Sequence, residues 1–257
     1  MASATDRFRI DGKVALVTGA SRGLGAAMSV ALASAGATMV LHASEAPPRA
    51  TEAAIASSTG SLTATVVANL ANRREADTVI PAALSAFGRL DILVNNAGVI
   101  TRRPAAEHTD EDWDRVIEID LSAVFRLCRA AGAHMIERGG GGKIINIASL
   151  LAFQGGVTVP GYAAAKGGVM QLTKALANEW AAHGINVNAI TPGYMDTDNT
   201  AALRADAKRN QQIVERIPAG RWGTPDDLAG AVVFLASRAS DYVHGHVLVV
   251  DGGWMGR

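Results

Sequence analysis

Tyr162 and Lys166, four residues apart, have the types and spacing of an acid–base pair. On a helix, residues at i and i+4 stand one above the other on the same face. A phenol alone is a poor proton donor or acceptor near neutral pH, because it ionises near pH ~10. An ammonium one turn away favours the phenolate and brings such a group into working range. Ser149 lies thirteen residues before Tyr162 and just past a strand-like run. Its hydroxyl suits an oxygen on which negative charge develops. Taken singly, each of these residues fits a solvated surface equally well; their coincidence with two further motifs makes them a candidate site.

The first of those motifs is Thr18-Gly19-Ala20-Ser21-Arg22-Gly23-Leu24-Gly25, which follows an apolar run, Val14–Val17, and opens an Ala-rich helical pattern. Glycines let a backbone turn tightly and approach a pyrophosphate, whose charge the first N–H groups of a helix then meet. The spacing is Gly-x3-Gly-x-Gly, which differs from the Gly-x-Gly-x-x-Gly dinucleotide fingerprint. The second is Asn95-Asn96-Ala97-Gly98, directly after the run Asp91–Val94. The carboxyl ends of parallel strands are where ligands bind in such sheets, although Asn and Gly also suit a plain turn.

The elements that must carry these residues alternate along the chain. Strand-like runs fall at Val14–Val17, Thr38–Leu41, Leu62–Ala68, Asp91–Val94, Lys143–Ala148, Asn186–Ile190 and His246–Val250. Helical patterns separate them at about 23–35, 47–58, 73–87, 109–137, 161–183 and 225–237. Continuous apolar strands between helices predict a parallel sheet covered on both faces. The chain therefore reads as one α/β domain, a doubly wound Rossmann-like fold with a seven-stranded parallel sheet, over 11–257. Residues 1–10 read as a flexible tail, and the polar stretch 191–216 as a lid that closes over substrate.

Composition excludes several classes. The 257 residues carry 24 Lys+Arg and 24 Asp+Glu, so the charge balance gives no counterion-release grip on nucleic acid. No apolar stretch reaches membrane-spanning length, and Met1–Ile10 lacks the apolar core of a secretory signal. Cys128 is the single cysteine, so no internal disulfide forms and a reducing, cytoplasmic setting is expected. No metal site is expected.

On these motifs the chain resembles the short-chain dehydrogenases/reductases, from Gly12 to Gly253. Gly19, Gly23 and Gly25 match that family's glycine motif, and Asn95–Gly98 its Asn-Asn-Ala-Gly motif. Ser149, Tyr162 and Lys166 match its serine and Tyr-x-x-x-Lys, and Pro192-Gly193 with Thr197 its nicotinamide-contacting segment. The resemblance implies hydride transfer between a nicotinamide cofactor and a carbonyl or alcohol carbon. Tyr162 would protonate the nascent alkoxide, Ser149 would hold it, and Lys166 would bind the nicotinamide ribose. It also implies cofactor contacts at Ser21, Arg22, Leu24, Asn69, Leu70, Asn96, Ala97 and Gly98, and assembly as a homotetramer. The apolar run Val247–Trp254 is a candidate subunit contact.

Two residues depart from the family pattern. Asp120 stands where the family usually has an Asn that holds a proton-relay water. It falls inside an apolar stripe (Trp113, Val116, Ile117, Leu121, Val124, Phe125, Cys128), where a carboxylate needs a partner. Asp120 is therefore read as a fourth catalytic residue. Asn69 replaces the usual acidic residue near the adenine. Cofactor choice leans to NADP(H) over NAD(H), because Ala43 stands where NAD-preferring relatives carry Asp and Arg22 suits a 2′-phosphate; Glu45 is the counterweight.

The segments 143–168, 178–180, 192–195 and 217–223 resemble the sugar-acid branch of the family. A substrate of the 2-keto-3-deoxygluconate type carries a carboxylate, for which Arg102, Arg103 and Gln154, with Arg221 on the same grounds, are the candidate contacts. Two other readings stay open: a 3-oxoacyl-[acyl-carrier-protein] reductase, and a non-catalytic dinucleotide-binding regulator.

Overall fold

A computed structural model describes residues 3–257. Seven short strands form its sheet: β1 (Val14–Val17), β2 (Thr38–Ala43), β3 (Thr63–Val67), β4 (Ile92–Asn95), β5 (Gly142–Ile147), β6 (Ile185–Pro192) and β7 (Val247–Val250). Every pairing is parallel, in the order β3-β2-β1-β4-β5-β6-β7. The doubly wound parallel sheet read from the sequence is the fold observed.

Side chains alternate across a strand, so each strand feeds two cores. Val14, Leu16, Leu93 and Ile144 point into one, together with Val124, Leu127, Val169 and Trp180. Ala15, Val17, Ile92, Val94 and Ile145 point into the other, together with Met28, Leu32, Val232 and Leu235. The first core is covered by α4 (Val79–Phe87), α6 (Ala123–Arg138) and α7 (Pro160–Trp180), the second by α1 (Gly23–Ser34), α2 (Arg49–Ser58) and α10 (Ala229–Ala236). Both faces of the strands are apolar because both are buried. This is why their sequence shows continuous apolar runs in place of alternation.

Strand β1 lies between β2 and β4, and the direction of winding reverses there. A crevice opens beyond the carboxyl ends of strands at such a switch point. The glycine turn leaves β1 and the Asn-Ala-Gly turn leaves β4 on either side of it. Asn96 donates from Nδ2 to the Thr18 carbonyl (2.9 Å) and to the Gly19 carbonyl (3.2 Å). Thr18 Oγ1 accepts the N–H groups of Asn96 and Ala97, each at 3.0 Å.

Several boundaries differ from the sequence reading. The pattern over 73–87 breaks into α3 (Arg73–Ala76) and α4. That over 109–137 becomes α5 (Asp110–Ile117), a wide π-type turn at Glu118–Ser122, and α6. The pattern at 225–237 opens with a 3-10 turn, Pro225–Leu228, before α10. Strand β6 runs two residues further than expected, so Thr191 and Pro192 belong to the sheet and not to the lid.

The expected flexible tail is corrected for its described part. Thr5–Phe8 forms a 3-10 turn, the Phe8 ring lies 6.4 Å from that of Phe234, and Ile10 is buried with its N–H on the Ala35 carbonyl. An apolar residue at position 10 is claimed by the core beneath α1 and α10. Residues 1 and 2 lie outside the described residues.

Gly25 marks the tightest approach in this arrangement. A Cβ there would overlap the Gly19 carbonyl oxygen and crowd the Asn96 amide. Gly25→Ala is expected to cost about 2–3 kcal/mol through this overpacking. That is a drop of roughly 5–10 °C in thermal midpoint by calorimetry, with cofactor affinity lost in parallel.

Candidate active site

Pro160 at the first turn of α7 suits a helix start, since its missing N–H has no partner there in any case. Tyr162 follows in the same turn and Lys166 one turn on, so both lie on one face of α7. The Lys166 ammonium lies 5.5 Å from the centre of the Tyr162 ring. It donates to the carbonyl of Ile147, the last residue of β5, at 3.0 Å. Ser149 stands two residues beyond that carbonyl, at the head of a 3-10 turn (Leu150–Ala152), where its Oγ accepts the Leu151 N–H at 3.2 Å.

Asp120 completes this group. It sits in the wide turn before α6, fully buried, with its Oδ2 3.3 Å from the equally enclosed Lys166 Nζ. Its Oδ1 accepts the Val99 N–H at 2.8 Å, which ties the pair to the loop after β4. Burial works against the Lys166 ammonium, but the Asp120 carboxylate and the Tyr162 oxygen outweigh it and hold its pKa above the ordinary lysine range. Burial pushes the Asp120 carboxyl up, against the pull of Lys166 and the Val99 N–H. Lys166 therefore stays an ammonium through the neutral range, with Asp120 as its buried partner.

The glycine turn forms a cradle suited to a pyrophosphate. Helix α1 begins at Gly23 with no side chain capping its first N–H groups and no acidic residue in its first turn, which leaves those N–H groups for an anion. Gly19 has φ +66°, and a Cβ on it would press on Ala97. Ser21 and Arg22 are exposed on the rim, and Leu24 packs against the core. Arg22 reaches Asp198 at 3.2 Å, both side chains being open to solvent.

On the adenosine side, β2 ends at the buried Ala43, and Glu45 is exposed beyond it. Asn69 accepts the Ala71 N–H at 3.0 Å, so part of its acceptor capacity serves its own loop. Leu70 was expected among cofactor contacts; its side chain is buried in the core, which leaves its backbone alone for that role. At the nicotinamide end, Pro192 closes β6. A Cβ on Gly193 would meet the backbone of Asp251, and Thr197 lies against Gly23. The segment after β6 thus touches the glycine turn directly.

That segment is a built structure. Beyond β6 it carries α8 (Ala201–Ala205) and α9 (Ala207–Arg216), and Ile213 and Ile217 pack with Leu150 and Trp254 in a core of their own. The four substrate candidates are placed differently. Arg102 is exposed and donates to the Asn199 carbonyl at 3.1 Å, bridging the loop after β4 to this segment. Arg103 is 2.7 Å from Asp112, where it secures the start of α5. Gln154 accepts the Trp254 indole N–H at 3.1 Å. Arg221 forms a two-pronged pair with Asp227 at 2.7 and 2.8 Å.

Other residues hold the site: Thr18 and Asn95 enter the sequence reading only as members of their motifs, and Asn146, Thr173 and His42 do not enter it. Asn95 donates to Asn146 (2.8 Å) and to the Cys128 sulfur (3.2 Å), and Asn146 donates to Thr173 of α7 (3.0 Å). This buried chain locks α7 to β4 and β5, and burial pushes the Cys128 thiol up to about 12, so it stays protonated. Thr18 and His42 pin the glycine turn. The available signal was polar residues inside otherwise apolar strands and helices, which need partners when buried.

The family model described as "Enoyl-(Acyl carrier protein) reductase" matches residues 19–255. The chain belongs to the short-chain dehydrogenase/reductase family. It is 51% identical over 250 residues to the 2-dehydro-3-deoxy-D-gluconate 5-dehydrogenase of Escherichia coli (strain K12), covering 97% of this chain and 98% of that one. The relative of the same name from Bacillus subtilis (strain 168) is 49% identical over 252 residues, 98% of each chain. Among solved structures, a gluconate 5-dehydrogenase from Burkholderia cenocepacia J2315, in complex with NADP and tartrate, superimposes with a TM-score of 0.92. It is 40% identical, over 99% of this chain and 100% of that one.

The charge balance at Lys166 has a measurable consequence. Removing a nearby negative charge makes protons in the site easier to lose, so Asp120→Asn is expected to retain activity. The acid limb of its alcohol-oxidation rate should shift to lower pH by about half a unit to one unit. Asp120→Leu leaves a buried ammonium without a partner and should cost about 3–5 kcal/mol. Rate–pH profiles and denaturant melts of the two variants check both outcomes.

Proposed function

We propose that the chain interconverts a ketone and a secondary alcohol of a sugar acid of the 2-keto-3-deoxygluconate type, using NADP(H). The observation that carries this reading is the Tyr162–Lys166–Asp120 group at the end of β5, beside an uncapped glycine cradle at the switch point of the sheet. The nicotinamide, when bound, supplies or accepts the hydride. The protein's own share is proton movement and orientation. Tyr162 gives its hydroxyl proton to the substrate oxygen in reduction and recovers it in oxidation. Ser149 Oγ holds that oxygen as charge develops on it. Lys166 has three N–H donors; one serves Ile147, one faces Asp120, and the third is left for a ribose hydroxyl.

Support for NADP(H) is local. The end of β2 presents Ala43 and no carboxylate, and Arg22 is held only by an exposed pair with Asp198. Such pairs contribute little, so the guanidinium can turn to a 2′-phosphate. The NADP carried by the gluconate 5-dehydrogenase structure is in keeping with this. Arg22→Ala should raise KM for NADPH about tenfold and leave KM for NADH nearly unchanged. Steady-state rates with each cofactor read this out.

For the substrate carboxylate, Arg102 is the better placed of the two arginines, because Arg103 is committed to Asp112. The relatives named for sugar acids, at about half identity over nearly the whole chain, support the class. Assembly as a homotetramer is supported by β7, an edge strand whose four apolar residues are only half-buried. Sedimentation of the purified chain tests it. A cytoplasmic setting fits Cys128 as a buried free thiol. Among the described residues, no helix is long and apolar enough to cross a membrane.

The deciding experiment is turnover with NADPH against a panel containing a 2,5-diketo-3-deoxy sugar acid, a neutral ketone and an acetoacetyl thioester. Preference for the sugar acid supports the proposal. Preference for the thioester would favour an acyl-carrier reductase, and cofactor binding without any turnover would favour a regulator. Tyr162→Phe should reduce turnover by at least about a thousandfold with NADPH affinity near that of the parent, as removal of an essential proton donor requires.

A further inference from the structure

His42 lies one residue inside the carboxyl end of β2 and is buried, although neither the proton chemistry nor the hydride path uses it. Its ring spans two loops. Nε2 lies 3.0 Å from the carbonyl of Ala68, which can only accept, so Nε2 carries the proton. Nδ1 then holds a lone pair and accepts the Gly19 N–H at 3.3 Å. The backbone of His42 acts in the same sense, its carbonyl taking the Ala20 N–H at 2.8 Å.

We propose that His42 is a positioning residue for the dinucleotide, clamping the glycine turn after β1 to the loop after β3 at the separation the adenosine half requires. The inference rests on the reading that this crevice takes NADP(H). Gly19 is the residue whose left-handed backbone sets the cradle, and its carbonyl sits against Gly25. Ala68 directly precedes Asn69, so the same ring fixes both walls of the adenosine end. The Ala68 N–H closes the figure on the Ala43 carbonyl at 3.0 Å. One side chain thus ties together the ends of β1, β2 and β3. Only a neutral ring can do this, since a second ring proton would face the Gly19 N–H. Burial lowers the pKa of His42, against the pull of the Ala68 carbonyl, and so keeps the ring neutral.

An apolar side chain of similar size would leave the Gly19 N–H and the Ala68 carbonyl without these partners and free the two loops to separate. The test compares the parent chain with His42→Leu, His42→Asn and His42→Gln by direct titration with NADPH and by steady-state kinetics. For His42→Leu, the NADPH Kd should rise about tenfold, with kcat at saturating NADPH within about twofold of the parent and KM for the second substrate unchanged. Asn, whose carbonyl oxygen can replace Nδ1, should recover most of the affinity. Gln, which reaches Ala68 but not Gly19, should recover less.

A structural role alone would lower thermal stability in all three and leave the Kd unmoved, which overturns the proposal. Should His42→Leu fail to fold, the Asn and Gln variants decide, because parental affinity in both also overturns it. The parent's own titration separates the two readings. No binding of NADPH by the parent removes the proposed function and this inference together, whereas parental binding with unchanged variants removes the inference alone.

Discussion

An ammonium can be buried against a phenol only if something holds its charge. In this protein that is the Asp120 carboxylate, 3.3 Å from Lys166 and fully enclosed with it. The pair is fastened at both ends to the sheet's crevice. Lys166 is tied through the Ile147 carbonyl to β5, and Asp120 through the Val99 N–H to the loop after β4. Three segments far apart in the chain are therefore brought to one point by two side chains. Leaving Lys166 with no polar group on this side would be costly, so a side chain at position 120 that can face the ammonium helps to hold the rest of the geometry.

The cofactor end shows the same economy with uncharged groups. Thr18, Asn96 and His42 each use a side chain to satisfy backbone groups of the turns beside them. The helix that opens there keeps its first N–H groups uncommitted. A phosphate site of this kind needs the turn held rigid from behind, because its ligand contacts are mostly backbone and cannot adjust by rotamer. Gly25 permits that support, since Asn96 and the Gly19 carbonyl occupy the space a Cβ would need.

Much of this was legible before any coordinates. Seven apolar runs between helical patterns specify a covered parallel sheet; that the turns after β1 and β4 adjoin at the switch point follows from the strand order, which the pattern does not reveal. Tyr162 and Lys166 declare themselves by helical spacing. The partner of Asp120 is harder to read, because an Asp in an apolar stripe announces a need and not the residue that meets it. His42, Asn95 and Asn146 were opaque for a similar reason: their partners are backbone carbonyls and side chains up to 51 positions away. The fate of Arg103 follows from a loop conformation that periodicity does not describe. Ile10 was misread because a short charged segment hides one residue that the core requires.

The wide turn at Glu118–Ser122 accommodates one residue more per turn than the regular helices on either side. Excising a single residue there would restore an ordinary pitch with the helices on either side nearly in register, because five residues of the wide turn rotate about as far as four of an α-helix. Val116 and Val124, on either side, would keep their places in the interior, and the change would fall on the residues between them, Asp120 included. In evolutionary terms, the irregularity lets the length of this segment change by one residue without disturbing the packing on either side.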